Sequence, residues 1–100
     1  MDKDFERDLA KLKKTLDLFK EGQSYKARFM EAHVEHERIM YEIEMDWGRS
    51  EEARQRGDLA EAAEYAEKAR SMYPDAKKTA DEMSKWSAMM KGTSDKMDGA

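Results

Sequence analysis

The run His33-Val34-Glu35-His36-Glu37 is where residue types first suggest chemistry. His33 and His36 are three apart and His33 and Glu37 are four apart, so on a helix they share a face. Imidazole and carboxylate at that spacing can ligate zinc or iron. One helix offers at most these three groups, and the chain has only two His, so a second copy would have to complete a metal site. The order also departs from the Glu-x-x-His and His-Glu-x-x-His patterns of helical metal centres. The competing reading places His36 in an apolar stripe between Ala32 and Met40, with His33 beside it. The single chain is therefore expected to hold no metal or other cofactor. A metal-binding helical dimer through His33, His36 and Glu37 stands as the third reading.

Carboxylates form the second group. Glu42, Glu44, Asp46, Glu51 and Glu52 lie in a segment, residues 29–67, that carries 12 acidic and 4 basic side chains. Such a run can mimic nucleic-acid phosphate and occupy a basic groove on a target. It is unsuited to holding nucleic acid, which wants a basic stripe. Nucleophilic catalysis finds no support. Cys is absent, the six Ser lie in no Gly-flanked elbow, and the five Gly form no phosphate loop. The chain is expected not to be an enzyme.

These residues need helices to position them. Of the 39 hydrophobic residues, 13 are Ala and 9 are Met, while Val34, Ile39 and Ile43 are the only aliphatic β-branched ones. That composition excludes a substantial sheet and favours helix. One hundred residues make one domain at most. The longest apolar runs are too short for a membrane span. The opening Met1-Asp2-Lys3-Asp4 has no apolar stretch behind it, so no signal peptide is expected. The expected compartment is the cytoplasm.

Phe5, Leu9, Leu12, Leu16 and Phe19 follow spacings of 4, 3, 4 and 3, the seam of a helix that packs on another helix. The first helix is expected from Asp2 or Lys3 to Glu21, with Gly22 as its C-terminal cap. A long second helix should start near Gln23 or Ser24 and run through Gly48 towards Arg56. Its stripe is Tyr25, Phe29, Ala32, His36, Ile39, Ile43 and Trp47, flanked by Met30, Val34, Tyr41 and Met45. At that length it either bends near Trp47-Gly48 or makes the molecule elongated. Gly57-Asp58 reads as a turn, with Asp58 capping a third helix whose buried face is Leu59, Ala62, Ala66, Ala69 and Tyr73. Pro74 should end it and Asp75 cap a fourth, with Ala76, Ala80, Met83, Trp86 or Ser87, and Met90 inward. A single helical domain over 1–91 and a flexible tail over 92–100 are expected.

The segment GDLAEAAEYAEKARSMYP, Gly57 to Pro74, resembles the second helix of a tetratricopeptide repeat. The turn Gly57, the small residues Ala62 and Ala69 and the terminal Pro74 fall on the family's landmarks. Ala66 stands where the family has an aromatic, with Tyr65 one place early. The first half of the repeat fits less well: Trp47 lies one place late, Arg49-Ser50 replaces Leu-Gly, and Ala53 replaces a large aromatic. The resemblance covers about one repeat, and it implies protein–protein binding without catalysis.

The expected fold is all-α: antiparallel helical hairpins from about four helices. Helix one would pack on the first half of helix two, and helices three and four on its second half. The expected function is a self-associating protein–protein interaction module, a homodimer with no membrane or direct nucleic-acid role. Tyr25, Phe29, Tyr41, Met45, Trp47, Met83 and Trp86 are the expected partner-binding residues. The alternative is a small acidic inhibitor of viral type, acting through Glu42, Glu44, Asp46, Glu51 and Glu52.

Overall fold

The computed structural model describes residues 2–99. Among them lie three helices and no strand: α1 (Lys3–Gln55), α2 (Leu59–Ser71) and α3 (Tyr73–Asp98). The fold is all-α, but not with about four helices. The expected first and second helices are one continuous helix of 53 residues. Gly22 does not cap anything. A glycine cap needs positive φ, and among the described residues only Gly57 has it, at 80°. Glycine costs a helix about 1 kcal/mol relative to Ala, too little to break one flanked by Lys20-Glu21 and Tyr25-Lys26-Ala27. Gly48 is helical for the same reason.

The α1–α2 turn is built as the sequence suggests. The N–H of Gly57 donates to the Arg54 carbonyl at 3.0 Å, and that of Asp58 to the Ala53 carbonyl at 2.9 Å. This pair of bonds is a Schellman closure. The Asp58 carboxylate then accepts from the Glu61 N–H at 3.1 Å and caps α2. Only Met72 separates α2 from α3, and its backbone stays right-handed helical, with φ −91° and ψ −9°. Pro74 lies in the first turn of α3, where a missing N–H costs little. Asp75 accompanies it there and is not the cap.

The burial of α1 follows one spacing. Leu18, Ala32, Ile39, Ile43, Asp46, Ser50 and Ala53 are buried, and Gly22, Tyr25, Phe29 and His36 are half-buried. In order, these positions step by 4 and 3 alternately from 18 to 53, a heptad seam. On α3, Ala76, Thr79, Met83, Trp86, Met90, Thr93 and Met97 step by 3 and 4, all buried or half-buried. The inward residue is thus Thr79, where Ala80 was expected. The segment 92–98, expected as a flexible tail, is helical and contributes Thr93 to the buried set.

The chain divides into two compact units, Glu31–Glu82 and Met1–Met30 with Met83–Ala100. In the Glu31–Glu82 unit, Ile39, Ile43 and Ala69 form the core, with Trp47, Met72 and Ala76 packed on it. Each Ile contributes about 2 kcal/mol of burial. Ala62, Ala66 and Ala69 are buried as the spacing requires, whereas Leu59 and Tyr73 at the two ends of that face are exposed. The Ser50 hydroxyl donates to the Ala62 carbonyl at 2.7 Å, and both residues are buried where the two helices meet. Trp47 Nε1 donates to Tyr73 Oη at 2.9 Å, and His36 Nδ1 lies 2.8 Å from Thr79 Oγ1. Descending α1 while ascending α2 and α3, these contacts fix antiparallel packing.

In the other unit, α1 and α3 are also antiparallel. Tyr25 stacks on Trp86, with ring centroids 5.8 Å apart and planes 22° from parallel. A Cβ at Gly22 would sit 3.0 Å from Thr93 Oγ1. Gly22 therefore serves the close approach of two helices. Counting residue for residue from the Gly22–Thr93 pair, the end of α3 at Asp98 is level with Asp17. The turns of α1 before that point have no α3 beside them.

Candidate functional site

Those turns carry all of the expected seam but Phe19, which lies level with the last turn of α3 and faces away from it. Phe5, Leu9, Leu12, Leu16 and Phe19 were expected to face a second helix; they are instead 50–68% exposed. The reason is the continuity of α1: a helix that does not turn at Gly22 cannot fold back on itself. Leu18, one residue from Phe19 and so about 100° round the helix, is the one that is buried. Glu6, Leu9, Ala10, Leu12, Lys13 and Leu16 line a shallow apolar groove bordered by one acidic and one basic side chain. The row is apolar and exposed on a helix whose remaining exposed positions are largely charged.

The expected partner-binding residues divide into two kinds. Tyr25 and Trp86 are spent on each other, and Arg28 and Lys85 cover the Trp86 ring at 4.8 and 4.6 Å. Tyr25 Oη also donates to Glu21 at 2.8 Å. That hydrogen bond, with burial and the Glu21 charge behind it, holds the phenol above its ordinary pKa. Trp47 is committed to the core and to Tyr73, and Arg70 lies 5.5 Å from its ring. Phe29 and Met83 are half-buried. Tyr41 and Met45 remain exposed and line a groove with Glu42, Asp46, Arg49 and Lys68.

The acidic run is largely tied up along its own helix. Glu42 pairs with Arg38 at 2.8 Å, Asp46 with Arg49 at 3.1 Å, and Glu51 with Arg54. The Arg54 hydrogen bond holds the Glu51 carboxyl below its usual range, and Arg38 does the same to Glu35. Asp46 is buried, while Glu44 and Glu52 are exposed.

His33 and His36 do not converge. His33 Nε2 lies 3.1 Å from Glu37 Oε1, whereas His36 turns to Thr79. Thr79 Oγ1 also lies 3.0 Å from the Ala76 carbonyl, so this histidine sits in a structural hydrogen-bond chain. Among the described residues no three His, Cys, Asp or Glu side chains are grouped to hold a metal ion. No described helix is long and apolar enough to cross a membrane.

Sequence reasoning missed Asp46, Ser50, Thr79 and Thr93 as inward residues because it followed apolar character. Extending the 3–4 spacing through polar positions would have found all four. Comparison of the chain with family models, curated proteins and solved structures gives no match.

Proposed function

We propose that this chain is a non-enzymatic helical protein–protein interaction module that self-associates through the first turns of α1. One observation carries the reading: Phe5, Leu9, Leu12, Leu16 and Phe19 keep heptad spacing, and each is at least half exposed. Solvated helix faces draw on Lys, Glu and Arg. An apolar 3–4 repeat is what a helix presents to another helix. The likeness of residues 57–74 to a tetratricopeptide-repeat helix supports the same class of function, binding rather than catalysis. The exposed Tyr41 and Met45 offer a second apolar surface on the other unit.

The test is solution mass by light scattering from about 10 μM to about 1 mM, the range in which a small interface operates. Wild type should move from one chain mass towards two. Leu12→Glu should remain a monomer with unchanged far-ultraviolet circular dichroism, because Leu12 is 68% exposed in the single chain. A wild type that stays monomeric throughout, or a Leu12→Glu variant that associates equally well, would remove the basis of the proposal.

A further inference from the structure

The groove on the first turns of α1 carries its own complement. Resting on the reading above, we propose that its occupant is the same segment of a second copy, laid antiparallel, with Glu6 of each copy paired to Lys13 of the other.

Three features of the surface lead there. The first is charge. Residues 2–8 hold four acidic and two basic side chains, and residues 9–20 hold four basic and one acidic. The segment is a charge dipole, which is matched head to tail and mismatched head to head. The second is register. Alternating spacings make Leu9 and Leu16 a-type positions and Phe5 and Leu12 d-type positions. Antiparallel seams pair a with d, so Leu9 faces the second copy's Leu12, and Phe5 its Leu16. The overlap closes on itself over residues 5–16, which is the length of α1 lying ahead of the end of α3. In that register Glu6 and Lys13, which border the groove, come together twice by symmetry. Neither is in an ion pair with a described residue of its own chain. Arg7 is spent on Asp4, at 2.8 Å.

The third is area. The four seam side chains inside that overlap, Phe5, Leu9, Leu12 and Leu16, are each at least half exposed and offer roughly 400–500 Å² per copy, so a pair buries a little under about 1,000 Å², the size of a weak, transient interface. An interface of that size makes a reversible assembly, which is why the mass measurement extends to about 1 mM.

Charge reversal distinguishes the geometry. In the antiparallel pair, Glu6→Lys and Lys13→Glu each turn two attractions into repulsions and should weaken association about tenfold. The double variant E6K/K13E restores opposite charges and should return to within about twofold of wild type, and Asp8→Lys should change little, because an antiparallel partner sets Thr15 opposite it. A parallel pair would instead place Asp8 against Lys13. There the double variant would stay weak and Asp8→Lys would be damaging. That outcome overturns the antiparallel inference while leaving self-association intact. A wild type monomeric to about 1 mM overturns both. Sedimentation equilibrium at low salt reads all five proteins, and the contrasts should shrink at high salt.

Discussion

Two glycines of α1, both helical, should answer the same substitution with opposite signs. Gly48→Ala adds a Cβ with no atom within 4 Å, so it should bring only the propensity gain, about 1 kcal/mol of stabilisation. Gly22→Ala brings the same gain but sets its Cβ 3.0 Å from Thr93 Oγ1 and 3.9 Å from Thr93 Cβ. Thr93 cannot easily give way: it is 4% exposed, and its hydroxyl donates to the Met90 carbonyl at 2.8 Å. Turning the hydroxyl aside forfeits about 1 kcal/mol, and separating the helices costs about 1–3 kcal/mol as overpacking. The net expectation is destabilisation by about 1 kcal/mol. Urea titrations followed by circular dichroism, at a concentration below association, resolve this difference. In the Thr93→Ala background, Gly22→Ala should become stabilising, with a coupling of about 1–2 kcal/mol across the double-mutant cycle. Equal stabilisation by both glycine substitutions, or a cycle with no coupling, would refute the claim that Gly22 exists for the approach of α3.

Ser50→Ala should destabilise by about 1 kcal/mol, since the Ala62 carbonyl loses a buried donor; thermal unfolding reads this as a lower midpoint. For Tyr25 the folded pKa lies above the ordinary phenol value, so its contribution to stability is complete at neutral pH and fades as pH rises through that raised value. Absorbance titration should find Tyr25 ionising late, and Glu21→Gln should move it back towards the ordinary phenol range. No such movement would mean that the hydrogen bond from Tyr25 Oη to Glu21 is not formed in solution.

The sequence by itself determined the all-α class, the Gly57-Asp58 turn and most of the buried face. Those depend on local chemistry: β-branched scarcity, a positive-φ glycine, an Asp cap, and apolar residues recurring at 3 and 4. The stripe from Tyr25 to Ile43 and the small face at Ala62, Ala66 and Ala69 are inward for that reason. Tertiary structure decided what local chemistry leaves open. Gly22 is compatible both with ending a helix and with lying inside one; the helix runs through it, and only the tertiary structure sets Thr93 against it. Pro74 permits either a stop or a bend, and α3 resumes one residue after α2. Heptad spacing tells which residues share a face but not which helix covers it. Leu18 is buried and Phe19 exposed, though both lie level with α3, because α3 covers one side of α1 and Phe19 points about 100° away from it. A periodic pattern is a property of one helix, whereas burial is a property of two.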